Sequence, residues 1–411
     1  MKNYQPYLDW IDTQYNEMCQ LVETWSNINS GSKNLDGLAT MLSTIEESFR
    51  VLGGHSETLI LHPKTIINEA GKEDSLPLGK ALSIKKNTGA PIRIFLGAHL
   101  DTVFPVDSPF QTCRMLDEDT LQGPGVSDIK GGIVIMFKML QALERSPYGK
   151  KIDWEILFNP DEEIGSHGSE PLLRECAKRA DIGLVFEPSL PDGTLICSRK
   201  GSGGFVLVVR GRSAHVGREF HLGRSAIVAM APFIHEIDAL NDPSRGIIAN
   251  VGKVEGGGPT NIVPSLAICR FNIRVDTVET MNTIEKHLES LVEKLNKESK
   301  EGISFTLHGK FTRGPKPFNE STQSLFQAFA QCGEKLGMTL SWQSSGGVCD
   351  GNILAAEGLP TIDTLGVRGG GIHTHEEYVK LQSLTERCRL TTLFLMQLTS
   401  GEINMRFCKD R

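Results

Sequence analysis

Phe158-Asn159-Pro160-Asp161-Glu162-Glu163-Ile164-Gly165-Ser166 closes an apolar run, residues 154–158, with three consecutive carboxylates. A solvated acidic turn is the commonest fate of such a triplet. Here the preceding run reads as a buried strand, so the acids stand at the carboxyl edge of a sheet, where open α/β proteins build their sites. Like charges packed at such an edge are tolerable when cations neutralise them. The triplet therefore implies partners elsewhere in the chain.

The flanking segments repeat the pattern. Residues 92–98 are a short, nearly continuous apolar run, the mark of a strand buried on both faces, and they lead into His99-Leu100-Asp101-Thr102. Residues 133–143 are helical in pattern and follow Gly123-Pro124-Gly125-Val126-Ser127-Asp128-Ile129-Lys130-Gly131-Gly132. A helix is expected over 170–180 and a third apolar strand over 182–186, ending in Glu187-Pro188. Strands alternating with helices, with ligand-type residues after each strand, predict an α/β fold with a mostly parallel sheet flanked by helices. Upstream, apolar residues at helical spacing over 6–25 and 35–52 predict two amphipathic helices.

The texture changes at Arg199. Strands are expected over 203–211, 247–254, 266–275 and 303–308, with helices over 224–240 and 278–297. This β-α-β-β-α-β order is the signature of a ferredoxin-like α+β unit. Thr312-Arg313-Gly314-Pro315-Lys316-Pro317 reads as its closing turn, and helices over 321–336 and 383–398 return to the first domain. The expected division is 1–198, an inserted 199–313, and 314–411.

A chain of 411 residues is too long for one ordinary core, which agrees with two domains. The formal charge of −7 and the lack of a basic cluster argue against nucleic acid or an anionic membrane surface. No stretch approaches the ~20 apolar residues of a membrane span. Nine scattered cysteines without a C-x-x-C pair read as reduced, which favours the cytoplasm. Dinucleotide and P-loop motifs are missing.

His99 and Asp101 point to one side of an extended segment. Such a pair can supply a ligating imidazole and the carboxylate that holds its other nitrogen. Asp128 follows two glycines and precedes a helix, so helix capping is its ordinary reading. Glu187 ends a strand. Gly369-Gly370-Gly371-Ile372-His373-Thr374-His375-Glu376-Glu377-Tyr378 adds two histidines, one of them a candidate ligand. Together these residues are the inventory for two divalent ions. Nitrogen and oxygen donors without thiolate suit zinc, with cobalt or manganese as substitutes, and argue against calcium.

GAHLDTVFP, GPGVSDIKGG, NPDEEIGS, FEPS, GRSAHVG, GGPTNIVP and HTHEEYV occur in one order from about Arg93 onward. In these motifs the chain resembles the di-zinc metallopeptidases and deacylases that include glutamate carboxypeptidase, acetylornithine deacetylase and succinyl-diaminopimelate desuccinylase. The resemblance implies a zinc-peptidase-like catalytic domain whose inserted lid forms a homodimer, and a small peptide or N-acyl amino acid as substrate. It implies that Asp128 bridges two Zn2+ ions, with His99 and Glu187 on one and Glu163 and His373 on the other. Glu162 is then the general base, Asp101 the partner of His99, and the Asp128-Ile129 bond cis. By the same resemblance His215 donates to the developing oxyanion, and Asn261 and Arg274 bind substrate. Gly346 and Gly347 are expected to leave backbone amides open to a substrate carboxylate. Glutamate carboxypeptidases carry an arginine after the Thr-Arg-Gly, where this chain has Pro315, so a glutamate side chain is not implied. A deacylase of the same fold, or a metal-free dimeric interaction protein, remains an alternative.

Overall fold

The computed structural model describes residues 3–405. The central sheet runs in the spatial order His55–Leu59, Ala81–Lys86, Ile152–Asn159, Ile92–His99, Ile182–Val185, Thr361–Ile362. From Ile152–Asn159 to Thr361–Ile362 every pairing is parallel. Ala81–Lys86 and His55–Leu59 add an antiparallel edge. The sequence carried no sign of the outermost strand, because His55–Leu59 is exposed or half-buried along its whole length and shows no apolar alternation.

Alternation along the strands divides the core into two layers, as a period of two requires. Ile94, Leu96, Ile156 and Phe158 face one layer, and Phe95, Leu157 and Val185 face the other. On the first face lies Gly131–Arg145, buried along almost its whole length. Gln5–Thr13, Tyr15–Ser26 and Gln382–Ser400 pack over it. On the second face lie Glu170–Arg179 and Asp350–Ala356, through Leu173, Cys176, Ile353 and Leu354. Full burial of each large apolar side chain contributes ~1.5–3 kcal/mol. Gly132 lets the buried helix begin against a strand end, since a Cβ there would meet the Phe186 carbonyl oxygen at 2.1 Å. That contact brings the loop before the helix next to Glu187.

The single helix expected over 6–25 is two, Gln5–Thr13 and Tyr15–Ser26. At the break, the Gln14 side-chain oxygen accepts from the buried Lys138 ammonium at 3.1 Å. No helix among the described residues is long and apolar enough to cross a membrane. The described cysteines are all unpaired, and Cys408 lies outside the described residues.

A second sheet runs in the order Ile248–Gly256, Leu266–Val275, Gly201–Arg210, Ser304–Arg313 and is antiparallel throughout. Helices Ala226–Asp238 and Val278–Glu298 share with it a separate core that includes Phe205, Leu207, Phe233, Phe271 and Leu288. The chain is thus a mostly parallel α/β body with an inserted ferredoxin-like lid. The last lid strand runs past the expected 308, and Arg313, expected in a closing turn, is its final residue and pairs with Ser202.

The two crossings between body and lid form one ribbon. The Arg199 N–H donates to the Lys316 carbonyl at 3.0 Å, and the Lys316 N–H to the Arg199 carbonyl at 2.9 Å. Beneath them the fully buried Asp363 carboxylate accepts from Arg199 Nε and Nη2 at 2.8 and 3.1 Å and from Lys316 Nζ at 2.8 Å. Burial pushes the Asp363 pKa up, but the two cations hold it down to about 2.

Because that folded-state value is depressed, the clamp stabilises the protein above the ordinary aspartate range and is lost as pH falls through it. Asp363→Asn leaves two buried cations unpaired and should cost ~3–5 kcal/mol at pH 7, read as a lower urea midpoint. The deficit should shrink as the wild-type carboxylate protonates toward about 2. Equal midpoints at pH 7 would contradict the clamp.

Candidate metal centre and active-site cleft

His99 is the last residue of Ile92–His99 and is 2% exposed. Its Nδ1 donates to the Asp101 backbone carbonyl at 2.8 Å, while the Asp101 carboxylate stands off at 3.4 Å. The same carboxylate that neighbours this nitrogen also has partners elsewhere. It accepts from the backbone N–H groups of Glu162 and Glu163, both at 3.1 Å, and from Ser32 Oγ at 2.8 Å.

Asp101 therefore anchors the acidic turn. Residues 161–165 are not extended: the Gly165 N–H reaches the Glu162 carbonyl at 2.8 Å and the Ser166 N–H reaches Asp161 at 2.7 Å. Glu162 and Glu163 therefore do not owe their separate directions to strand alternation. They diverge because they lie on a turn pinned from below. The triplet divides its work. Asp161 is fully buried and accepts from the Gly168 N–H at 2.7 Å and Ser169 Oγ at 2.6 Å. Glu163 lies 3.1 Å from His373 Nε2. Glu162 lies 2.7 Å from Arg313 Nη2.

Asp128 occupies the centre of the cluster. Its Oδ1 is 3.1 Å from His99 Nε2, and its Oδ2 is 3.3 Å from His373 Nε2. Glu187 approaches His99 Nε2 at 3.8 Å. Ligand atoms of His99, Asp128 and Glu163 all fall within 4.8 Å of one another. One carboxylate thus faces two histidine-carboxylate pairs with separate oxygens, which is the donor chemistry that two divalent ions sharing a ligand require. The Asp128-Ile129 peptide bond is cis.

The loop carrying Asp128 is held by Glu377, to which the sequence assigns no role. The Glu377 carboxylate is 1% exposed and accepts from the N–H groups of Gly125, Ser127 and Asp128 at 3.0, 2.9 and 3.0 Å. Burial and the field of Asp128 push its pKa up to about 7, against those three donors. Nothing local marks Glu377 for this role. His373 has φ 63°, a left-handed conformation uncommon outside glycine. His375 turns away and stacks on Phe110, with ring centroids 5.5 Å apart.

The charges of the cluster are unbalanced. Hydrogen bonds to Asp128 and Glu163 drive His373 up to about 11. Burial opposes a charge on His99, yet Asp101, Asp128 and Glu187 raise its pKa well above the ordinary value. Burial raises Glu163 to about 7, with Asp128 adding to it. Both imidazoles are driven to hold protons that bound cations would replace.

The cluster opens into a cavity of about 1210 Å³ between body and lid, lined by Asp128, Glu162, Glu163, Glu187, His373, Arg199, Arg274 and Arg313 among others. Arg274 donates to Asn272 Oδ1 at 3.3 Å and to the Gly346 carbonyl. Gly347 lines the same cavity, but its N–H is taken by Ser345 Oγ at 3.0 Å, which corrects the expectation of a free amide. His215 and Asn261 are exposed and lie off the cavity wall, joined by the Val216 N–H to Asn261 carbonyl bond of 2.9 Å. Within one chain they do not meet the cluster.

Residues 95–397 match the family model described as peptidase family M20/M25/M40. Carboxypeptidase G2 of a Pseudomonas species is 27% identical over 389 residues, 93% of this chain and 89% of that protein. A succinyl-diaminopimelate desuccinylase of Stutzerimonas stutzeri is 28% identical over 324 residues, 74% of this chain and 81% of that protein. Among solved structures, a tripeptidase from Staphylococcus aureus superposes with a TM-score of 0.73 at 22% identity, covering 94% of this chain and 99% of the other. A dinuclear metal-binding peptidase of the M20 family from Bacillus subtilis does so with a TM-score of 0.63 at 14% identity, covering 95% and 99%.

Because the histidine protons must leave, metal affinity should rise with pH across the neutral range, and loading zinc at pH 7 should release protons. Calorimetry in buffers of different ionisation enthalpy reads that release; none would contradict the charge imbalance. His373→Ala should lower metal content and His375→Ala should not, as measured by elemental analysis.

Proposed function

The chain belongs to peptidase family M20/M25/M40 and is a hydrolase of peptide or amide bonds, and on that premise we propose that it cleaves the amide bond beside the carboxylate of a small peptide or N-acyl amino acid. The observation that carries this reading is Asp128, whose two oxygens face two histidine-carboxylate pairs beside Glu162. Residues 1–198 and 314–411 form the catalytic body, and 199–313 its lid. His99, Asp128 and Glu187 would hold one Zn2+, and Asp128, Glu163 and His373 the other; cobalt or manganese would suit the same donors. Bound there, the cations supply Lewis acidity to the scissile carbonyl and hydroxide near neutral pH.

The remaining steps fall to this chain's side chains. Glu162 takes the proton of the attacking water and returns it to the departing amine. Arg274, with no carboxylate partner among the described residues, receives the substrate carboxylate, and Asn261 binds a second polar group. His215 donates to the developing oxyanion. Its distance from the cluster of its own chain supports delivery by a second subunit. Exposed Phe220 and Val228 on the lid, 65% and 71% accessible, support a homodimer through that surface. Unpaired cysteines support a cytoplasmic setting.

The desuccinylase relatives favour a second reading, an N-acyl-amino-acid deacylase. A hydrolysis panel of dipeptides and N-acyl amino acids, assayed with zinc and with cobalt, separates the two. Chelation should abolish turnover, and full activity in a verified metal-free sample would defeat the proposal. Glu162→Gln should keep both ions and lose at least ~10² in rate. Heterodimers of Glu162→Gln with His215→Ala should regain one working site if His215 acts across the dimer; verified heterodimers without activity would place it otherwise.

A further inference from the structure

We infer that Arg313 couples the position of the lid to the position of the catalytic base Glu162, as a positioning residue for the reaction proposed above. Arg313 belongs to two parts of the molecule at once. Its backbone ends the lid strand Ser304–Arg313, opposite Ser202. Its guanidinium lies in the body, 5% exposed. There Nη2 meets Glu162 Oε1 at 2.7 Å, the Glu162 carbonyl at 3.1 Å, Ser166 Oγ at 2.7 Å and Asp350 Oδ1 at 3.3 Å.

The ribbon below it does not yield at its base. Arg199 and Lys316 are clamped together on Asp363, and a buried pair of this kind resists opening. Bending of the lid is therefore confined to the stretch above the clamp, where Ser202 faces Arg313 and the ladder is irregular between Ser202 and Gly203. A Cβ at Gly314 would meet nothing within 4 Å, so this stretch has room to move. Rotation there displaces Arg313 together with the outer lid contacts, Arg270 to the Ile67 carbonyl and Arg210 to the Gly71 carbonyl, both at 2.8 Å.

The guanidinium is also incompletely satisfied. All its hydrogen bonds to the turn are made by Nη2, and its buried Nε has no acceptor among the described residues. Buried donors are rarely left unpaired, which makes Nε the guanidinium atom free to take a new acceptor. A shift of the lid that offers Nε an acceptor draws Nη2 off the Glu162 carboxylate and leaves the base free to meet water. A base held in one lid position and released in another keeps proton transfer in step with closure over the substrate.

Coupling of this kind is reciprocal, so it is readable without turnover. Spin labels carried by unnatural amino acids at exposed Glu175 on the body and Glu293 on the lid, diluted with unlabelled protein, report the distance within one zinc-loaded chain. Glu162→Ala and Arg313→Gln should each shift the distance distribution, and the double variant should shift it no further than either alone. Unchanged or additive distributions would overturn the coupling. The Glu162→Ala arm stands by itself if Arg313→Gln does not fold. Where the wild type turns over substrate, Arg313→Gln should lower kcat at least ~10-fold with KM within about twofold and both ions retained, and Arg313→Lys should recover part of the loss. A raised KM with unchanged kcat would make Arg313 a substrate-binding residue instead. A wild type that hydrolyses nothing defeats the proposed activity and leaves the distance measurement to decide the coupling.

Discussion

Acidic side chains gathered in one desolvated place are the constraint to which the rest of the molecule answers. Asp101, Asp128, Asp161, Glu162, Glu187 and Glu377 are all buried, and an uncompensated buried charge costs several kcal/mol. Their partners sort them into three kinds. Asp101, Asp161 and Glu377 are satisfied by backbone N–H groups and hold loops in place. Glu162 is satisfied by the Arg313 guanidinium. Asp128 and Glu187, with the half-buried Glu163 beside them, face imidazoles, which can exchange a proton for a cation. The acids held by backbone groups shape the site, and those facing imidazoles are its candidate ligands.

The fold makes this sorting workable by bringing distant loops to one sheet edge. Asp101 follows one parallel strand and gathers the turn that follows the next, so two neighbouring strand ends become one rigid unit. Glu377 does the same across a separation of 250 residues, fastening the loop of Asp128 to the segment that carries His373. Any error in that docking would move Asp128, whose two oxygens serve both halves of the cluster. The cis bond beside Asp128 lies inside the same brace.

The lid adds a second layer of buried charge. Asp363 collects the cations of both crossings, and Arg313, one step further along the ribbon, reaches back to Glu162. Body and lid are therefore joined by ion pairs on their shared ribbon, while the cavity between them stays open above the cluster.

The sequence by itself determined what repeats or is local: the parallel strands at 92–98 and 154–158, the helix pattern at 133–143, the ferredoxin-like order after Arg199, and the placing of His99, Asp128, Glu163 and Glu187 beyond strand or turn. Periodicity records which face of an element is buried, and a ligand after a strand is a matter of neighbours in the chain. Only the tertiary structure decided the partners. That Asp101 serves the acidic turn, that Glu377 braces Asp128, that Arg313 grips Glu162, and that His215 and Asn261 stand off the cleft of their own chain are pairings between residues far apart in sequence. A charged residue bound to a distant one leaves no period and no spacing, because its burial comes from the partner that the fold brings to it.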